Sequence, residues 1–105
     1  MRLLNSLRME VYCLPQILRI GPYIVYFWSN ENDPLEPIHI HIAEGRASAN
    51  ATKVWITSTG KLLLCNNNSR IPEKVLRRIL RVIEGNTDEI IALWFKQFGI
   101  VKFFC

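Results

Sequence analysis

Residues 37–42, "PIHIHI", alternate apolar and polar side chains and contain both histidines of the chain. Because successive side chains of a β-strand point to opposite faces, this segment predicts a strand with its three isoleucines on one face and its two histidines on the other. We expect the isoleucines to be buried against helices. We expect His39 and His41 to point the same way from a surface-facing side of the strand.

Further strand candidates flank this segment, and their aromatic and β-branched side chains are typical of strands. They are "QILRI" (16–20), "YIVYFWS" (23–29), "SANATKVWI" (48–56) and "KLLLC" (61–65). The first two are separated by Gly21-Pro22 and the last two by the short loop "TSTG" (57–60), both of which favour tight turns. This part of the chain therefore predicts an antiparallel meander of about five short strands.

The spacing of apolar residues changes to a helical period after Pro72, a residue that suits the first turn of a helix. Apolar side chains recur at this spacing over residues 75–83, which indicates a helix with one buried face. Gly85-Asn86 is expected to end it. We expect Thr87 to cap a second helix, which has a broad apolar face. Gly99 is expected to end this helix.

The closing residues 100–105, "IVKFFC", are expected to form either a last strand or a docked tail. Strands followed by two helices that pack on one face of the sheet define an α+β fold. With 105 residues, half of them hydrophobic, the chain is long enough for one domain with its own core. We expect residues 1–13 to be an N-terminal extension and residues 14–105 to form a single domain.

The cysteines and the short apolar runs bear on the cellular location. Cys13, Cys65 and Cys105 are odd in number and show no C-x-x-C spacing, which argues against a zinc or redox motif. Residues 1–13 lack the continuous apolar stretch of a secretory leader, and "YIVYFW" (23–28) is far shorter than the ~20 residues of a membrane helix. We therefore expect a cytoplasmic protein with reduced thiols and no membrane partner.

Three segments taken in order resemble the domain-of-unknown-function 4160 family of small bacterial proteins. They are "LPQILRIGPYIVYFWSNEN" (14–32), "PIHIHI" (37–42) and "IPEKVLRRILRVIEGNTDEIIALWFKQFG" (71–99). The resemblance covers residues 14–105. It implies no established activity, but genes of this family often lie beside one for a second small protein, in pairs suspected of being toxin–antitoxin modules. It therefore implies a neighbour-encoded small protein as partner. RNA and a second copy of the chain are further candidate partners, which do not follow from the resemblance.

The chain departs from the family pattern at two positions. Asn32 stands where the family often has histidine, and Ile38 replaces the second proline of the family's Pro-Pro-His-x-His motif. If the family uses three histidines together, that set is incomplete here.

His39 and His41 are the candidate catalytic residues. Side chains two residues apart on a strand emerge about 6.6 Å from each other, so the two imidazoles are able to share acid–base work. They could instead hold a metal with a nearby carboxylate, for which the candidates are Glu31, Asp33, Glu36 and Glu44. Two imidazoles fall short of the three protein ligands usual for a catalytic zinc, so we predict no metal and no cofactor. The alternative is a structural role, in which both histidines lie on a solvated or helix-covered face of the sheet and hydrogen-bond to neighbours.

A row of cations on the first predicted helix is the candidate binding surface. Lys74, Arg77, Arg78 and Arg81 follow each other at helical spacing opposite the apolar face, and Arg70 extends the row. Such a row suits the phosphates of RNA or an acidic protein partner, in a chain whose net charge is +4. The alternative is an ordinary solvated helix face.

Two functions of different classes therefore stay open. One is a binding or regulatory component of a toxin–antitoxin-like pair that engages its partner protein or RNA through the basic helix. The other is a small ribonuclease-like enzyme that uses His39 and His41. A third polar side chain converging on the histidines would favour the enzyme, and whether the protein is an enzyme is left undecided by the sequence.

Overall fold

The computed structural model describes residues 16–29 and 35–105. The predicted extension at residues 1–13 and the candidate carboxylates Glu31 and Asp33 lie outside these ranges. The described residues form five strands and two helices in the order predicted, an α+β fold. The elements are β1 (Gln16–Ile20), β2 (Tyr23–Tyr26), β3 (His39–Glu44), β4 (Thr52–Ile56), β5 (Leu62–Asn66), α1 (Glu73–Glu84) and α2 (Thr87–Phe98).

The strands form one sheet in chain order, and each neighbouring pair is antiparallel. Tight turns explain this order. Ile20 pairs with Tyr23, so Gly21-Pro22 makes a two-residue turn in which Gly21 has a φ of 59°, a left-handed value that glycine adopts without strain. The predicted meander is confirmed.

The central strand β3 is covered on its isoleucine face as expected. Ile38, Ile40 and Ile42 are fully buried. They belong to the same core cluster as Val54 and Ile56 of the next strand and as the buried apolar residues of both helices. The alternation in "PIHIHI" therefore identified the face of the sheet on which the helices pack.

Both helices pack through the predicted apolar faces. The buried residues of α1 are Leu76, Ile79 and Ile83, and those of α2 include Ile90 and Trp94. At the end of α2, Gly99 has a φ of 77° and donates its backbone N–H to the carbonyl oxygen of Phe95 at 2.7 Å, as a helix-ending glycine should.

The start of α2 differs from the prediction. Asn86, not Thr87, is the N-cap residue, because the carbonyl oxygen of Asn86 already accepts the N–H of Ile90 at 3.2 Å. Thr87 is the first helical residue, and its hydroxyl donates to the carbonyl oxygen of Glu84 at 3.5 Å. The prediction that Thr87 caps the helix is therefore wrong by one position.

The beginning of α1 is attached to the sheet through Asn67. The Oδ1 atom of Asn67 accepts the hydroxyl of Thr52 at 2.7 Å and the backbone N–H of Ile71 at 3.1 Å, while its Nδ2 donates to the carbonyl oxygen of Ile71 at 2.9 Å. Thr52 is fully buried in β4. These bonds fix where the helix leaves the sheet.

Residues 100–105 form a docked tail without a strand. The backbone N–H of Ile38 donates to the carbonyl oxygen of Lys102 at 2.8 Å, and that of Ser58 donates to the carbonyl oxygen of Cys105 at 3.0 Å. The ring of Phe104 stacks on Trp55, with 4.9 Å between ring centroids and 8° between ring planes. Of the two outcomes expected for this segment, the docked tail is confirmed.

Neither helix of the described part is long and apolar enough to cross a membrane, since each has 12 residues.

Trp94→Ala should lower the free energy of unfolding by about 3–5 kcal/mol, because it leaves a cavity in a fully packed core. The neighbouring Leu93, which is 40% exposed, is a matched control whose replacement by alanine should cost about 1 kcal/mol or less. Urea unfolding followed by circular dichroism measures both values. Equal losses in the two variants would show that α2 does not pack through this face.

Candidate functional site

His39 and His41 lie on the same face of β3, as predicted, with 5.1 Å between ring centroids and the rings nearly perpendicular. They are not surface-facing positions. His39 is 0% exposed and His41 is 7% exposed. The expectation of an exposed histidine face is therefore wrong.

His39 is enclosed by aromatic rings. Its ring centroid lies 5.6 Å from Trp55, its cross-strand neighbour, and 5.4 Å from Trp94 of α2. Its Nδ1 lies 3.0 Å from the carbonyl oxygen of Pro37, which only accepts, so the proton of this bond is on Nδ1. The same Nδ1 is 3.9 Å from Oε1 of Glu36. These contacts hold the ring in one orientation inside the domain.

His41 is held by Tyr26 from the neighbouring strand. The two rings stack with 5.5 Å between centroids and 29° between planes. The hydroxyl of Tyr26 donates to the carbonyl oxygen of Ser48 and accepts the backbone N–H of Ser48, both at 2.9 Å. These two bonds hold the connection between β3 and β4 over this face, which explains why His41 is almost fully buried.

His41 forms part of the floor of a cleft of about 250 Å³ on this face of the sheet, which we call the His41 cleft. Its lining is mostly polar and consists of Trp28, Glu36, His41, Ala49, Asn50, Ala51, Lys53, Asn66 and Asn68. Lys53 is the cross-strand neighbour of His41, and its Nζ lies 2.7 Å from Oε1 of Glu36 and 4.4 Å above the ring of Trp55. The cleft thus combines an imidazole, an ion pair and three amides.

Sequence reasoning missed Lys53 and the three amides of the cleft. A signal for Lys53 existed, because the alternation in residues 52–56 places it on the face opposite Val54. That signal becomes useful only once the register is known. The amides come from two separate connections and from the end of β5, so no local spacing joins them.

The carboxylates proposed as metal ligands do not gather around both histidines in the described ranges. Glu36 is near His39, while Glu44 is exposed at the other end of β3. Among residues 16–29 and 35–105, no three histidine, cysteine, aspartate or glutamate side chains lie close enough together to hold a metal ion.

The predicted row of cations lies on the exposed side of α1, opposite its buried residues. We call Lys74, Arg77, Arg78 and Arg81 the basic face; all four are exposed. The guanidinium of Arg77 is 2.7 Å from Oε2 of Glu73, an exposed pair of the kind that contributes little to stability. Arg70 is exposed in the turn before the helix and has a φ of 55°.

The fold and these two surfaces define a small α+β protein with a basic helix and a polar cleft on the other side of its sheet. The family model described as "Domain of unknown function (DUF4160)" matches residues 23–95, from β2 through most of α2. The chain belongs to this family. The match indicates no activity and no partner, and it leaves out β1 and the tail. No curated protein and no solved structure matches the chain.

His39→Gln should lower the free energy of unfolding by about 1–3 kcal/mol, because a flexible amide replaces a buried ring packed between Trp55 and Trp94. Glu44→Gln on the exposed end of the same strand is the control and should change stability by about 0.5 kcal/mol at most. Chemical unfolding measures both. A His39 variant as stable as the control would contradict a structural role for this ring.

Proposed function

We propose that this protein is the binding component of a toxin–antitoxin-like pair, and that its basic face contacts a neighbour-encoded small protein or RNA. The observation that carries the proposal is the arrangement of α1. Four exposed cations follow each other on one side of a helix, and only one of them has a carboxylate partner in the described part of the chain.

The rigidity of α1 supports this function. Leu76, Ile79 and Ile83 fix the helix on the sheet, and the bonds of Asn67 fix its beginning. The cations at positions 74 and 81 are about 10 Å apart along the axis, since a helix rises about 1.5 Å per residue. A short row of phosphates or carboxylates can therefore be contacted without rearrangement of the backbone, and each neutralised phosphate adds affinity by releasing counterions.

The location of His39 also supports binding rather than chemistry by the histidine pair. A group that exchanges protons with a substrate must come within hydrogen-bonding distance of it. His39 is fully buried among Trp55, Trp94 and His41, which favours a structural role.

A cytoplasmic location is part of the proposal. Cys65 and Cys105 are exposed free thiols, which suits a compartment that keeps thiols reduced. In the cytoplasm the protein would encounter both RNA and a partner made from a neighbouring gene.

Changing Arg77 and Arg78 together to glutamate should weaken binding of the neighbour-encoded protein or of a single-stranded RNA roughly tenfold or more, because two attractive charges become repulsive. For RNA, the slope of log K against log salt should fall by roughly 0.7 for each lost phosphate contact. Fluorescence anisotropy over a range of salt concentrations measures both quantities.

The matched control changes Arg19 and Lys96 to glutamate, which alters net charge equally at exposed positions of β1 and α2. It should retain most of the binding. If both double variants bind alike, net charge rather than the basic face is responsible. Loss of protein binding alone, or of RNA binding alone, identifies the class of partner.

A second function, a small ribonuclease-like enzyme, is supported by one observation. His41, Lys53 and Glu36 line one cleft together with three amides, which supplies the additional polar side chains that acid–base chemistry requires. In such an enzyme His41 would take the proton from the 2′-hydroxyl of RNA as that oxygen attacks the adjacent phosphorus. A 2′,3′-cyclic phosphate would form while the bond to the 5′-oxygen breaks, and water would protonate that leaving oxygen. Lys53 would neutralise charge on the phosphate, and His39 would only position His41.

This second function predicts that His41→Gln and Lys53→Ala each abolish cleavage of a fluorophore-labelled RNA while the chain stays folded. His39→Gln should lose cleavage only in proportion to its loss of stability. The measurement is the cleavage rate with excess enzyme, with the folded fraction of each variant determined alongside. If the wild-type protein leaves RNA intact, or if the His41 and Lys53 variants cleave it at the wild-type rate, the enzyme hypothesis is wrong.

A further inference from the structure

Strand β5 lies at one edge of the sheet. It pairs with β4 on one side, and within residues 16–29 and 35–105 no strand pairs with its other side. Alternate backbone N–H and C=O groups of an edge strand point away from the sheet. They are available to pair with another extended chain.

This edge lacks most of the features that keep exposed strands from pairing. The strand, "LLLCN" (62–66), contains no charged residue and no proline. Leu63 is 42% exposed and Leu64 is 43% exposed. The irregular pairing is confined to the end of the strand, where Leu64 pairs with Val54 and Asn66 with Lys53, so that Cys65 is the extra residue. Residues 62–64 therefore present a regular, apolar edge.

A groove of about 270 Å³ runs beside this edge, between β5 and α1. Leu62 and Leu80 supply its apolar lining, while Arg77, Arg81 and Glu84 supply its charged groups. Side chains of an added strand that point towards α1 would enter the groove. There they would meet apolar surface, two guanidinium groups and the carboxylate of Glu84.

We propose that β5 binds an extended segment of a partner protein by strand addition, and that this segment carries alternating apolar and acidic side chains. The inference rests on the proposed function, because it specifies how the partner is recognised. Main-chain hydrogen bonds along β5 supply a sequence-independent part of the affinity, and the groove selects for the side chains. Arg77 and Arg81 outnumber Glu84 in the groove, so its charged groups favour carboxylates.

Other occupants fit this edge less well. Symmetric pairing of β5 with a second copy of the chain would bring the two α1 helices, each with a basic face, to the same side of a continuous sheet. Like charges placed near each other oppose that pairing. RNA suits the arginines. It suits neither the apolar Leu63 and Leu64 nor the backbone groups of β5 that no other strand of residues 16–29 and 35–105 pairs with.

The test uses the full chain and a synthetic heptapeptide of alternating valine and glutamate as the probe. Hydrogen exchange should show new protection of amides in residues 62–66 when the peptide is added. Leu64→Lys should weaken the peptide roughly tenfold, because it removes apolar contact area and adds a charge that blocks edge pairing. The matched control is Leu93→Lys, at a leucine of similar exposure on α2, and it should bind within about twofold of wild type.

Two further peptides keep the test independent of how well the variants fold. A valine–lysine peptide should bind the wild-type chain weakly, because it meets Arg77 and Arg81. A valine–glutamate peptide with N-methylated backbone amides should also bind weakly, because it lacks the donors that strand addition requires.

Each other result overturns the inference. If Arg77→Glu together with Arg78→Glu abolishes binding of the valine–glutamate peptide but Leu64→Lys leaves it intact, there is no strand addition. The proposed function would still stand in that case. If the β5 amides that point away from β4 are protected in the isolated chain, and Leu64→Lys dissociates a dimer, the occupant is a second copy. Equal binding of the N-methylated peptide, or no protection of residues 62–66 by any peptide, would show that the edge does not accept a strand.

Discussion

Burial of β3 on both faces is the constraint on which the rest of the structure depends. The strand is third of five in the sheet, so its backbone pairs on both sides, and residues 39–43 are all buried. On one face, the apolar side chains of β3 are buried against the helices. The other face holds two imidazoles, and buried polar groups must find specific partners. The carbonyl oxygen of Pro37 is such a partner for His39, while His41 stacks on Tyr26, whose own hydroxyl bonds to Ser48.

The alternation in "PIHIHI" was enough to predict which side chains share a face and where the helices pack, because strand geometry is local. It was not enough to predict that both histidines are buried. Their cover comes from distant parts of the chain. Trp94 of α2 contacts His39, Phe104 of the tail stacks on Trp55, and the connection after β3 is fixed by Tyr26.

The two candidate sites also differ in whether local sequence or long-range contacts form them. The basic face follows from helical spacing alone, so the sequence predicted its residues and their exposure. The His41 cleft follows from the register that pairs His41 with Lys53, which no single segment encodes. Side chains that meet only through sheet register, as Lys53 and Asn66 do, are therefore hidden from sequence reasoning even when each strand is predicted correctly.

The basic face and the His41 cleft lie on opposite sides of the sheet. Strand β5 has residues on both sides, since Leu62 lines the groove beside α1 and Asn66 lines the cleft. Leu64 pairs with Val54, whose side chain belongs to the core beneath the helices, whereas Leu63 pairs with Trp55 on the histidine side. Asn66, at the end of the same strand, lines the His41 cleft. A strand added along β5 would therefore lie beside the groove of α1 and approach the rim of the cleft. Binding at this edge would thus be able to restrict access to His41 without contacting it, because backbone pairing fixes the added strand at the rim.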